Sequence, residues 1–182
     1  MLKWFLHRAV RGLERRYGYD ATYMHELTEI STAAFRRFTR MQLAGGGWRG
    51  GAPRDAWLAA GIAGALVEDC GPCVQIASDM AVEAGMKGEV IGALLSGAPA
   101  DADAQLGFDY GRALLLGSEN LDAMRETIAA KWGQKALVGL SLKAMSARNY
   151  PVLKRALGHA KTCQRVRVGA DEIAVNPPLK AA

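Results

Sequence analysis

Glu68-Asp69-Cys70-Gly71-Pro72-Cys73-Val74-Gln75-Ile76-Ala77 lies where one apolar helical run ends and another begins. It carries two of the three cysteines, two residues apart, so a helix starting here brings two thiols within disulfide reach. A helix N-terminus carries roughly +0.5 of an elementary charge, which favours the thiolate that reacts or ligates metal. Pro72 suits the first helical turn, since proline has no N–H to leave unpaired and its φ is already helical. Every functional reading of this chain depends on what the two sulfurs do.

Outward from that turn the pattern is helical on both sides. Pro53-Arg54-Asp55 opens the preceding helix, which ends at Glu68. Its Ala56, Ala59, Ala60, Gly61, Ala63, Gly64 and Ala65 make it small-sided, so that neighbouring helices can approach closely. The following helix runs from Pro72 to about Ala84 and stops at Gly85. Val90 to Leu95 is a short helical run ended by Gly97-Ala98-Pro99. Asp101 or Asp103 can cap the next helix, which extends to Leu116. Asn120 to Trp132 is amphipathic and closed by Gly133, and Lys135 to Leu157 continues the pattern, with a break or kink expected at Pro151.

Towards the N-terminus, Leu2, Phe5, Leu6, Ala9, Val10 and Leu13 share one helical face. The first sixteen residues hold Lys3, Arg8, Arg11, Arg15 and Arg16 against Glu14 alone. Such a helix suits an anionic membrane surface, but docking on the body of the protein or on a second subunit is the favoured reading. Tyr17-Gly18-Tyr19-Asp20 breaks the pattern, and Asp20 is the expected N-cap of one helix running to about Leu43, with His25 beside its apolar stripe. Ala44 to Gly51 contains five glycines around Trp48 and Arg49. It fits neither a Walker loop nor a dinucleotide fingerprint, and reads as a flexible connection with Trp48 on the surface. At the other end, Val166, Val168, Ile173 and Val175 alternate around Gly169-Ala170-Asp171-Glu172 as a small hairpin, and Asn176-Pro177-Pro178 follows. The expected fold is all-α with a minor β tail. It is a single domain over 1–182: an N-terminal helix (1–19), a helical core (20–160), and a hairpin and tail (161–182).

The chain has 182 residues, half of them apolar, and a net charge of +5. The start, MLKWFLHRAV, lacks a continuous apolar region and a small-residue cleavage site, so no signal peptide is read. No stretch approaches the roughly 20 apolar residues needed to span a bilayer. Three cysteines do not make a disulfide-stapled secreted domain, and a reducing, cytoplasmic compartment is expected. Nothing beyond the pI and the terminal arginines suggests nucleic acid, and no cofactor motif is present.

The order of these parts, from about Tyr23 to Ala160, resembles the carboxymuconolactone decarboxylase and alkyl hydroperoxidase D superfamily. The resemblance rests on Ala52-Pro53-Arg54-Asp55 leading an alanine-rich helix into Cys70-Gly71-Pro72-Cys73, and on Ala81-Val82-Glu83-Ala84-Gly85 after it. It continues in Phe108-Asp109-Tyr110-Gly111-Arg112-Ala113-Leu114 and in Ile128-Ala129-Ala130-Lys131-Trp132-Gly133 leading to Leu137-Val138-Gly139-Leu140. It implies an all-helical fold, a homo-oligomer, and peroxide reduction through the cysteine pair. Cys73 would be the attacking thiolate and Cys70 the resolving thiol, with a hydroperoxide or disulfide substrate and a thiol electron donor. In the peroxidase branch a glutamate and a histidine flank the cysteines as a proton relay; the matching positions are Leu58 and Ala77. A general base typically contributes about 10²–10⁴-fold, so efficient peroxide reduction by the standard relay is not expected. A base from His25, His159 or a neighbouring subunit, and a polar contact from Gln75 or Ser78, are the candidate replacements. Glu68 and Asp69, as carboxylates next to Cys70, would raise a thiol pKa.

Two functional readings follow. One is a thiol–disulfide oxidoreductase acting through Cys70 and Cys73. The other is a non-catalytic or redox-sensing oligomeric scaffold, which needs no relay. A zinc site from Cys70, Cys73, Cys163 and His159 is a weaker third, because sequence spacing alone does not bring those four together.

Overall fold

The computed structural model describes residues 1–159, 165–169 and 171–175. Cys163, Ala170 and the Asn176-Pro177-Pro178 segment lie outside the described residues. Among those described there are nine helices and one hairpin: α1 (Leu2–Tyr17), α2 (Thr22–Ile30), α3 (Thr32–Gly46), α4 (Arg54–Leu66), α5 (Gly71–Glu83), α6 (Gly88–Ser96), α7 (Ala102–Leu116), α8 (Leu121–Trp132), α9 (Gln134–Ala156), β1 (Arg165–Val168) and β2 (Asp171–Ala174). The mostly helical expectation holds, with the small antiparallel hairpin at the C-terminal end.

Helix α4 is the centre of the molecule. Every residue from Leu58 to Leu66 is buried, as expected of a helix that is apolar all round. It packs against α5, α7 and α9. The small side chains set how near those neighbours come. A Cβ at Gly64 would lie 2.3 Å from the backbone oxygen of Ala144 in α9, so only glycine allows this approach.

Four expectations need correction. The single helix from Asp20 to Leu43 is two, because Ser31 is extended (φ −162°, ψ 111°) and its hydroxyl accepts from the backbone N–H of Ala34 at 3.1 Å. A serine that caps the following turn competes with helix continuation through its own position. Asp20 is one residue outside the first of these helices, whose N-cap is Ala21; its carboxylate still accepts from the N–H of Thr22 at 3.2 Å. Helix α3 runs into the glycine stretch as far as Gly46, where the Gln42 amide donates to the carbonyl of Ser146 in α9. Finally, α9 passes through Pro151 without interruption.

The N-terminal helix docks on the body. Leu6, Val10 and Leu13 pack with Tyr19, Tyr23, Leu27 and Phe35, whereas Leu2, Phe5 and Ala9 of the expected apolar face stay exposed. A polar chain completes the contact: Lys3 and His7 Nε2 both reach Glu29, at 2.8 and 2.7 Å, and the Nδ1 atoms of His7 and His25 lie 2.6 Å apart. One imidazole donates there and the other accepts. His25 Nε2 then meets Glu14 at 3.2 Å.

The hairpin pairs Val166 with Ile173 and Val168 with Asp171. Such a unit is marginal alone, and here it is held by helices. Val166, Val168 and Val175 enter the core cluster of α4, α5 and α6. The Gln75 side chain donates to the carbonyl of Arg167 and accepts its N–H, each at 2.7 Å.

Candidate functional site

The turn between α4 and α5 is made by Asp69, at φ 51° the one non-glycine residue with positive φ among the described residues. Aspartate tolerates this left-handed region better than most residues. Cys70 is the N-cap of α5, and its carbonyl accepts from the N–H groups of Cys73 and Val74, each at 2.9 Å. This first turn sets the Cα atoms of Cys70 and Cys73 5.2 Å apart, within the usual disulfide range, and the two sulfurs are joined. Both residues are buried.

Cys73 faces a cavity of about 320 Å³ bounded by α1, α2, α3, α4, α5, α9 and the α1–α2 turn. Leu58, Ile62, Ala65, Ile76, Ala77 and Met80 make much of the wall apolar. The positions that the resemblance assigns to the glutamate and histidine, Leu58 and Ala77, therefore open on the same space as Cys73. Among the described residues no histidine and no carboxylate lines it.

The polar groups of the wall include three tyrosines and one lysine. The Tyr19 hydroxyl lies 3.9 Å from Cys73 Sγ and 3.4 Å from the Tyr23 hydroxyl. Because a disulfide sulfur carries no hydrogen, it can only accept from Tyr19. Burial raises the pKa of Tyr19, Tyr23 and Tyr150 above that of an ordinary phenol, so all three stay protonated at neutral pH and act as donors. Lys143 is pushed the other way by burial, below the ordinary lysine value. Its Nζ stands 4.0 Å from the centroid of the Trp57 ring.

The candidate replacements for the relay lie elsewhere. His25 belongs to the α1–α2 chain, and His159 Nε2 meets Glu26 Oε2 at 2.6 Å. Neither borders the cavity. Gln75 is occupied with the hairpin and Ser78 is buried off the cavity wall, so neither meets a substrate of Cys73. Glu68 is not left as a bare charge beside Cys70, because Arg148 and Arg155 of α9 both bond to it. Burial disfavours its charge, but the two arginines outweigh that effect and hold its carboxyl below the usual range. Cys163 of the four-ligand set lies outside the described residues. Among the described residues no group of three His, Cys, Asp or Glu side chains converges as a metal site.

Sequence reasoning passed over Tyr19 and Lys143. Tyr19 was visible only as part of a helix break, and Lys143 as one polar position in the long last helix; neither has a local signal pointing to Cys73. Comparison with protein-family models, curated proteins and solved structures gives no match. Among the described residues no helix is long and apolar enough to cross a membrane.

Proposed function

We propose that the chain is a thiol–disulfide oxidoreductase in which Cys73 is the substrate-facing sulfur and Cys70 resolves it. The supporting observation is the convergence of Cys73, Leu58 and Ala77 on one cavity while Cys70 stays behind the wall. That is the arrangement expected from the resemblance to the alkyl hydroperoxidase D superfamily, with the relay side chains replaced by apolar ones. With an organic hydroperoxide, the Cys73 thiolate attacks the outer oxygen, the O–O bond breaks, and the alkoxide takes a proton to leave as an alcohol. The sulfenic acid on Cys73 then condenses with the Cys70 thiol, releasing water and forming the disulfide. Two electrons from an external dithiol, or from two thiols, return the pair to its reduced state. A reducing compartment suits that cycle, and a homo-oligomer accords with the exposed Leu2, Trp4 and Phe5 of α1; sedimentation tests the assembly.

Tyr19 supplies what the cavity offers in place of a relay. A phenol held protonated beside Cys73 stabilises the thiolate by hydrogen bonding, and the N-terminus of α5 adds to it. The deciding experiment mixes pre-reduced protein with cumene hydroperoxide and follows Cys70 and Cys73 separately by alkylation and peptide mass. The two thiols are expected to disappear together at least about tenfold faster than free cysteine, a barrier difference of about 1.4 kcal/mol. Cys73→Ser should abolish the reaction, and Cys70→Ser should stop it at the sulfenic acid. A rate no greater than that of free cysteine rejects the proposal.

That no histidine or carboxylate among the described residues lines the cavity favours a second reading, a redox-sensing scaffold. In that case the disulfide forms and breaks with the ambient thiol pool, but steady-state peroxide turnover with a dithiol donor is not seen.

A further inference from the structure

Among the described residues Lys143 is the one cation on the cavity wall, and none of them pairs it with an anion. It takes part in none of the ion pairs or hydrogen bonds formed among the described residues, and burial alone accounts for its depressed pKa. Its stem crosses α4 at Gly61, where a Cβ would lie 2.6 Å from Lys143 Cε, so the missing side chain makes room for it. The ammonium stands over the Trp57 ring, and the buried Trp57 Nε1 likewise has no acceptor among the described residues. A cation–π contact offsets only part of what desolvating an ammonium costs. An ammonium held in this way lacks a counter-charge that an outside molecule can supply.

The rest of the wall sets the shape of that molecule. Leu58, Ile62, Ile76 and Met80 offer an apolar surface, and 320 Å³ at about 30 Å³ per water-sized group admits on the order of ten non-hydrogen atoms. We infer that the cavity binds a small amphiphilic anion, a medium-chain carboxylate, with its chain on the apolar wall beside Cys73 and its carboxylate on the Lys143 ammonium. The inference concerns binding and holds whether or not the cysteines turn over.

Octanoate has ten non-hydrogen atoms and serves as the probe, with 1-octanol as the uncharged comparison. Both are titrated into the oxidised protein by calorimetry at pH 8. Octanoate is expected to bind at least about tenfold more tightly than octanol. Lys143→Met should bring octanoate down to the affinity of octanol and leave octanol unchanged. Equal affinities in the wild-type protein, no octanoate binding, or a carboxylate preference that survives Lys143→Met would each overturn the inference. If Lys143→Met does not fold, the wild-type comparison decides alone. Failure of peroxide reactivity leaves this result untouched, so the two proposals fail separately.

Discussion

Replacing Gly64 by alanine adds one methyl group to the centre of the fold, and the structure fixes the sign of the effect. The new Cβ would stand 2.3 Å from the Ala144 oxygen and 3.1 Å from the Ala144 carbon and the Ala147 Cβ. The first of these is backbone, so α4 and α9 must separate, loosening packing along both. Overpacking of this kind costs roughly 1–3 kcal/mol, and a backbone clash belongs at the upper end. Alanine is about 1 kcal/mol better than glycine within a helix, which leaves a net loss of roughly 2 kcal/mol. At about 2–4 °C per kcal/mol for a chain of this size, the melting temperature should fall by roughly 4–8 °C. Two further glycines make the comparison internal. At Gly12, on α1, a Cβ meets nothing within 4 Å, so Gly12→Ala should stabilise by about 0.5–1 kcal/mol. At Gly61 the obstacle is the flexible Lys143 stem, so Gly61→Ala should cost less than Gly64→Ala while displacing the lysine. Thermal unfolding of the three variants gives the ranking Gly12→Ala, then Gly61→Ala, then Gly64→Ala. A Gly64→Ala protein as stable as wild type would show that α4 and α9 are not this close.

Glu68→Gln should cost about 1 kcal/mol at pH 7, the upper end for pairs with solvent-exposed arginines. Because the folded-state pKa of Glu68 lies below its ordinary 4.5, the stabilisation is present above that value and lost as pH falls through the folded pKa. Melting curves of the two proteins should therefore converge in acid; a gap that widened there would contradict the arginine pairing. Gln75→Ala removes both bonds to Arg167, and at about 0.5–1.5 kcal/mol each it should speed amide exchange in β1 several-fold. Unchanged exchange would mean that apolar contacts alone seat the hairpin. Tyr19→Phe keeps the ring on Lys154 but removes the hydroxyl from Cys73, and should raise the Cys73 thiol pKa, read by the pH dependence of iodoacetamide labelling. An identical profile would remove Tyr19 from the site.

The places where sequence expectation and structure part company share a physical cause. Ser31 interrupts the long second helix because its hydroxyl satisfies the next turn, a local choice hidden by an apolar spacing that runs on across it. Helix α3 extends through Gly45 and Gly46, poor helix formers, because α9 packs on them through Ser146. Phe5 continues the stripe of Leu6 and Val10 in sequence yet is exposed, since α2 and its neighbours cover only part of the face. His25, His159 and Gln75 had the right chemistry for a site, but each is committed to a partner elsewhere: Glu14, Glu26 and Arg167.

From the sequence alone, periodicity and small-residue spacing determined a helical body around an alanine-rich helix. The Cys-x-x-Cys beginning the next helix determined a vicinal thiol pair, because one helical turn spans the reach of a disulfide. Both follow from interactions between residues a few positions apart, which local patterning records. The tertiary structure alone decided which sulfur meets the cavity, that Leu58 and Ala77 share it, and that Tyr19 reaches it from the α1–α2 turn and Lys143 from α9. The contact of Tyr19 with Cys73 joins residues 54 positions apart in the chain, and only the packing of α1, α4, α5 and α9 brings such residues together.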